Sequence, residues 1–449
     1  MDEFKNFFNE LLKNLGIKEV NSISLEQARV IISKINEFFY TYHDGIGETI
    51  ALGDNFKYFS EFHKFWEKYH KELLDPQIID EKCEGTAEVF HDVYKKFGKN
   101  VFVQLYDIGK YKNEDVCRVR YFTAPQDFRG SRDIAEMLEL NEGDPSIFDE
   151  KSIKSDPEAF LKSIGVSSLS QNDKRIKYAE KSAELLINLG TEPIGLIEKA
   201  GNDISRVREM LLENTGSGFG NKKTDMFLRD MVLLGVWENI TNFDKIDVAS
   251  DINTVKVALR TGILKTKIPL VSSFIDVFCY QYSLIDEMNA KAWRRVWEIW
   301  KEKYPEECIE SPCMIDYLVY RIIGREFCKE SLCIFECETH EHKFSWHSAR
   351  NKTCQVCFKN GKKNKAFVIN KVLPCTSEDG YIFIEKNIFV TGKDALLKGI
   401  KDCPLNIVCE PKTPGFKKYN PPKSISILGQ TGWDSARTET GLGGGGLMS

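Results

Sequence analysis

The sequence predicts a multidomain, mainly α-helical protein, and three observations carry that expectation. From Asp156 to Cys328 apolar residues recur at helical spacing almost without interruption. The residues before Asp156 mix amphipathic stretches with two runs of strand character. After Cys328 the chain turns rich in cysteine, histidine and short β-like runs, and from about Pro411 in Pro, Lys, Ser and Gly. The expected order is an α+β domain over 1–155 and an all-α domain over 156–330. A small β module over 331–410 and a flexible tail over 411–449 follow, because the last stretch has too little apolar surface to bury.

In the first block, Phe4, Phe7, Phe8, Leu11 and Leu12 share one helix face, as do Val30, Ile31, Ile35 and Phe38. Asn100–Tyr106 and Val116–Phe122 read as two strands with a polar connection. In the second block helices are expected over Arg175–Leu189, Pro193–Ala200, Ile204–Asn214, Leu228–Trp237, Asp251–Leu264 and Val271–Gln281. Two more follow at Ala290–Lys303, whose Trp293, Trp297 and Trp300 form a buried ridge, and at Met314–Phe327. Val368–Leu373 and Tyr381–Ile384 read as strands of the small module.

Composition narrows the class. The chain has 449 residues, 62 Lys and Arg against 67 Asp and Glu, and a net charge of −5. It has no apolar run of membrane-spanning length and opens Met1-Asp2-Glu3-Phe4-Lys5, unlike a secretion signal. A soluble, intracellular, cytoplasmic protein with no membrane partner is expected. The negative charge counts against nucleic-acid binding, but phosphate contacts need only local positive charge. Lys359, Lys362, Lys363, Lys365 and Lys371 supply one concentration, and Lys412, Lys417, Lys418 and Lys423 another.

The most specific segment is Thr215-Gly-Ser-Gly-Phe-Gly-Asn-Lys-Lys-Thr-Asp-Met-Phe-Leu-Arg229, followed by Asp251-Ile-Asn-Thr-Val-Lys-Val-Ala-Leu-Arg-Thr-Gly262. Gly218 and Gly220 flank Phe219 and suit a tight turn with positive φ. The amides at the start of the helix that follows suit a phosphate. Taken alone, Asp251 also reads as a helix N-cap, and Lys222 as a solvated residue or phosphate contact.

Gly-Phe-Gly-Asn-Lys resembles the helix-hairpin-helix element of the endonuclease III and 8-oxoguanine DNA glycosylase superfamily. The resemblance covers roughly 160–330. It implies base excision from double-stranded DNA, in repair or in defence against modified foreign DNA, with or without lyase activity. By the same resemblance Lys222 is the amine nucleophile, with Lys223 as the fallback and otherwise a DNA contact. Asp251 is then the carboxylate that stabilises the oxocarbenium-like transition state, with Asp247 as the alternative. Gly218 and Gly220 hold backbone phosphate. In Ser168-Leu-Ser-Gln-Asn-Asp-Lys174, Gln171 or Asn172 fills the gap left by an extruded base. The chain departs from the pattern in three places. Lys222 and Asp251 are 29 residues apart, which requires an insertion near Trp237–Asp247. Asn253 replaces a frequent histidine, and Thr224 a frequent alanine.

Thirteen cysteines crowd toward Cys308–Cys357. Tyr320–Cys328 resembles the segment that brings the first ligand to a [4Fe–4S] cluster in endonuclease III-type enzymes, but the later spacing, Cys328-x4-Cys333-x3-Cys337, departs from it. Cys308, Cys313, Cys328 and Cys333 cannot share one metal across a continuous helix over 314–327, whose ends lie roughly 20 Å apart. Zn²⁺ fits better: Cys354-x2-Cys357 is a knuckle, and three of the seven histidines lie between 340 and 347. The expected ligands are Cys337, His342, Cys354 and Cys357 in a zinc-ribbon-like module, with His340 or Cys333 as alternatives. The competing functions are a non-catalytic DNA- or RNA-binding helix-hairpin-helix zinc protein, and a glycosidase acting on free nucleosides or RNA.

Overall fold

A computed structural model describes residues 2–18, 24–37, 71–103, 108–127, 133–166, 172–267 and 283–327. It also describes 333–337, 343–345, 369–374, 398–400 and 403–409. In chain order its helices are α1 (Asp2–Asn14), α2 (Leu25–Glu37), α3 (Asp80–Phe97), α4 (Asn113–Thr123), α5 (Ile134–Gly143), α6 (Glu150–Ser155) and α7 (Pro157–Ser163). They continue with α8 (Asn172–Leu189), α9 (Leu196–Lys199), α10 (Ile204–Glu213), α11 (Asn221–Leu233), α12 (Ile252–Thr261) and α13 (Ser283–Lys303). A π-helix follows at Tyr317–Phe327. The strands are short: β1 (Gln77–Ile78), β2 (Leu264–Lys265), β3 (Cys333–Cys337), β4 (Lys343–Ser345) and β5 (Ile369–Pro374). The described chain is therefore mainly α. Among the described residues no helix is long and apolar enough to cross a membrane.

The chain forms two compact units. One gathers residues up to Phe97, Asp251–Trp300 and the stretch from Val319; the other is built chiefly from Gly98–Ser250 and Lys301–Leu318. The expected boundary at 155–156 falls inside the second unit.

In the first unit, β1 pairs antiparallel with β2, Gln77 opposite Lys265 and Ile78 opposite Leu264. The core joins α3 to α13. Phe90 stacks on Trp293 at 6.0 Å and meets Trp300 at 6.0 Å, and Tyr94 meets Trp300 edge-on at 5.9 Å. Trp293, Trp297 and Trp300 are all buried, as the tryptophan spacing predicts. Rings of this size bury 150–250 Å² each and dominate a core. The unit also holds a three-stranded antiparallel sheet in the order β4-β3-β5. Its β5 matches the strand expected at Val368–Leu373; Tyr381–Ile384 lies outside the described residues, as does Val271–Gln281.

Among the described residues of the second unit neither expected strand forms. Lys99–Phe102 is a turn of 3₁₀ helix, and Asn113–Thr123 is α4. Residues 104–107 lie outside the described set. The strand reading of this segment misled because α4 is enclosed on nearly every side: Val116, Cys117, Val119, Arg120, Tyr121 and Phe122 are all buried. A helix buried all round shows no amphipathic stripe, and β-branched and aromatic residues then mimic a strand. Tyr121 anchors a cluster with Phe122, Phe219 and Phe227, and Phe227 packs edge-on against Trp237. The middle of the chain is mainly helical, with β2 as a short strand within it.

Candidate functional site

The hairpin joins α10 to α11 within the second unit. Asp203 caps α10 by accepting from the Ser205 amide at 2.9 Å. Arg208 of α10 then clamps α11, its Nε 2.5 Å from Asp225 Oδ1 and its Nη2 3.2 Å from Asp225 Oδ2. A bidentate guanidinium–carboxylate pair fixes both distance and orientation, so it sets the opening of the hairpin.

The turn works differently from the sequence expectation. Gly216 and Gly218 have φ of +85° and +81°, whereas Gly220 has φ −91° and ψ 175°, an extended conformation open to any residue. The positive-φ pair is thus Gly216 and Gly218. At Gly218 a Cβ would also fall 2.7 Å from the Tyr178 ring, so both backbone and packing demand glycine. At Gly220 a Cβ would meet nothing within 4 Å. Gly220 is the N-cap of α11 and no side chain caps that helix. The first amides of α11 have no intrahelical acceptor and face the turn, an arrangement suited to an anion. Phe219 is buried between the glycines and pins the turn to Tyr121.

The two lysines after the turn differ sharply. Lys222 is exposed. Lys223 turns inward, donating from Nζ to the Pro125 carbonyl at 2.5 Å, with its ammonium 5.5 Å from the centre of the Tyr178 ring. Burial pushes its pKa down to about 7, Lys222 and Arg175 lower it further, and Asp127 partly opposes them. Arg175 itself is buried, bonded from Nη1 to Gln126 O at 2.9 Å, while Gln126 Nε2 donates to Arg175 O at 3.1 Å. Gln126 Oε1, Thr224 Oγ1 and Asn172 Oδ1 are buried and find no hydrogen-bond partner among the described residues. Asn172 is the first residue of α8; Gln171 lies outside the described residues.

α11 is held from below by a buried charge network. Asp230 accepts from Arg120 Nε at 2.8 Å, and from Arg229 Nε at 3.0 Å and Nη2 at 2.6 Å. Arg229 also pairs with Asp316. Each ion is matched, which is what makes burial of this much charge tolerable. After α11, the segment that lengthens the lysine-to-aspartate spacing is an ordered loop. Trp237 is buried and donates to Ile194 O at 3.0 Å, and Asn242 Nδ2 donates to Asp203 Oδ2 at 2.9 Å.

Asp251 belongs to the first unit. It is the N-cap of α12 and closes a capping box with Thr254. Its Oδ1 accepts from the Asn253 and Thr254 amides, both at 2.9 Å, and its Oδ2 accepts from Asn253 Nδ2 at 3.0 Å. Lys256, buried, donates to Asn253 Oδ1 at 3.3 Å. α13 braces the cap: Asn289 Nδ2 donates to Thr254 Oγ1 at 3.0 Å, and Trp293 Nε1 to Thr254 O at 3.4 Å. The carboxylate is therefore fixed in position, with Oδ2 taking a single bond among the described residues and able to accept more. Helix α12 ends at Thr261, capped by Gly262 at φ +76°, three residues before the expected end at Leu264, which lies in β2. Capping and a functional carboxylate are compatible at this position. Asp247, in the second unit, is part of the field around Arg208.

Of the expected metal ligands, Cys337 is the last residue of β3, while His342, Cys354 and Cys357 lie outside the described residues, as do His340 and Cys328. Cys83, Cys117 and Cys313 are buried thiols whose pKa values are raised by desolvation. Cys313 also accepts from Ser311 Oγ at 3.1 Å. No family model, curated protein or solved structure matches this chain.

Proposed function

We propose that the protein is a DNA base-excision glycosylase, hydrolysing the N-glycosidic bond of a damaged or modified base in double-stranded DNA. The observation that carries this reading is the pairing of two features of the sequence pattern. A glycine turn opens into an uncapped helix N-terminus at Gly220, and Asp251 is held rigidly by its own capping box. The first suits a backbone phosphate. The second suits a developing positive charge on the sugar, because a preorganised carboxylate needs no reorganisation when the charge appears. Lys222, exposed beside the uncapped amides, serves as a further phosphate contact, and Asn172 is the described candidate for occupying the space of an extruded base.

Zn²⁺ belongs to the same proposal. β3 pairs antiparallel with β4, Glu336 opposite Lys343, and Cys337 ends β3; His342, which precedes β4 in the sequence, lies outside the described residues. The proposed tetrahedral set of Cys337, His342, Cys354 and Cys357 is the one the sequence spacing suits.

A panel of duplex oligonucleotides bearing oxidised, deaminated, alkylated and bulky modified bases, assayed for base release, tests the function. Release from at least one duplex, lost in Asp251→Asn, is expected. Binding to all duplexes with release from none would favour the non-catalytic DNA-binding reading.

A further inference from the structure

We propose that the cleft between α3 and the stretches 399–400 and 403–408 is the docking site of a later segment of this same chain, Ser424–Leu428. Both sides of the cleft belong to the first unit. They are fixed against each other at two points. Gly399, at φ +74°, comes against the Phe97 ring, which a Cβ there would meet at 3.8 Å, and a Cβ on Gly85 would fall 3.6 Å from Val408. Phe97 and Gly85 are 12 residues apart, so these contacts span roughly 18 Å of helix. The cleft has a cavity of about 520 Å³ with mostly apolar walls: Val89, Val93 and Phe97 on α3, and Ile400, Pro404 and Ile407 on the other side. Ile407 is 78% exposed, against 40% for Val30 and Ile187. An exposed isoleucine continuous with an apolar cavity makes a patch rather than a scattered residue, and such patches mark interaction sites.

Spacing, charge and reach assign the occupant. Val89, Val93 and Phe97 stand four residues apart, about 6 Å per step along the helix. In an extended segment residues two apart share a face at roughly 6.6 Å, so Ile425 and Ile427 match that step, with Leu428 beside them. Glu81, Glu84, Glu88 and Asp92 run along α3 next to the apolar row, and Lys95 and Lys96 follow at its C-terminal end. The chain leaves the described residues after Cys409, next to Val408 and therefore beside the acidic half of α3. The stretch that follows, Glu410–Lys423, carries four lysines against one glutamate, the complementary charge. Sixteen residues separate Cys409 from Ile425 and can extend about 50 Å, whereas the 18 residues of α3 measure about 27 Å. Tethering also gives an effective concentration of roughly millimolar order, so a contact too weak to recruit a free peptide holds a segment of the same chain.

Cross-linking mass spectrometry on the full-length protein tests this, using a short amine-reactive reagent and an equal mixture of nitrogen-14 and nitrogen-15 chains. Links from Lys423 to Lys82, Lys95 or Lys96 of α3 are expected, confined to peptides of like label. Ile407→Asp and Ile427→Asp should each abolish them, and trypsin should then cut after Lys423 several-fold faster. Ile407 is too exposed for Asp to disturb the core, and an unchanged melting midpoint verifies that loss of the link is not unfolding. Absence of any link from Lys423 to α3 overturns the proposal, as does a link that survives either variant. Links between unlike labels would give the cleft to a second copy of the chain instead. Cross-linking needs no DNA, so the outcome is independent of the glycosylase reading.

Discussion

Gly324 of the π-helix lies directly against Asn253 of α12: a Cβ on Gly324 would fall 2.7 Å from the Asn253 Cβ and 2.9 Å from the Val319 carbonyl. Asn253 is the residue that donates to Asp251 Oδ2. The absence of one methyl group thus sets where the aspartate's own anchor can stand. Gly324→Ala should destabilise the protein by about 1–3 kcal/mol, the usual cost of overpacking. Base release should fall with it, since the Asn253 contact must shift. Chemical denaturation and the release assay read the two effects; a variant as stable and active as wild type would contradict the contact.

Asp251 has a capping role and a proposed chemical one, and substitutions separate them. Asp251→Asn should leave stability unchanged, because Asn is as good an N-cap as Asp. Base release should drop by about 10²–10³, the typical cost of losing one preorganised electrostatic group. Asp251→Ala should lose the same activity and, in addition, about 1 kcal/mol of stability. Equal stability loss in both variants would show that the charge, not the cap, holds α12.

Lys223 makes stability depend on pH with a defined sign. Its folded pKa is about 7, whereas an unfolded lysine titrates near ~10.4. Between these values the unfolded chain binds a proton that the native state does not, so stability rises with pH across that window. Below pH 7 both states are protonated and the cost of the buried charge is fully present. Lys223→Met should be more stable than wild type at pH 7 and should lose the rise. Denaturation midpoints at pH 7 and pH 9 decide it, and parallel pH slopes would refute the burial of the amine.

Asp230 bridges Arg120 and Arg229 in the interior of the second unit. Asp230→Ala leaves two guanidinium groups partly uncompensated and should cost about 3–5 kcal/mol. Asp244→Ala, at a part-exposed position where the ion pair to Lys245 is solvent-screened, should be near neutral. Thermal denaturation of the two variants measures the contrast.

For the proposed zinc, elemental analysis should give about one zinc per chain, with no broad visible absorption from iron and sulfide. Cys354→Ser should release it. Brown protein carrying four irons would point instead to a cluster involving Cys328.

What was legible in the sequence follows a physical division. Elements with a polar face or a local punctuation mark were readable: α8, α10, the start of α12 at Asp251, and the Trp293–Trp297–Trp300 ridge. α4 was misread because burial on all sides erases the period on which such reading depends. The hairpin was visible as glycines, but which glycine takes positive φ depends on Tyr178, far away in sequence. The same holds for Lys223, whose surroundings, Pro125, Asp127, Arg175 and Tyr178, are brought together only by folding.

The pairing of β1 with β2 has a consequence for how the protein is made. Gln77 and Lys265 sit on either side of the whole Gly98–Ser250 stretch, so β1 emerges from the ribosome long before its partner exists. The second unit waits in turn for Lys301–Leu318, which carries Asp316, the partner of Arg229. Neither unit can finish while the chain is still short, and each must keep apolar surface exposed through most of its synthesis. Non-local closure of this kind slows folding and lengthens exposure to aggregation. Fragments ending before residue 318 should therefore be recovered as insoluble material, and expression of the intact protein should gain from slower translation or added chaperone.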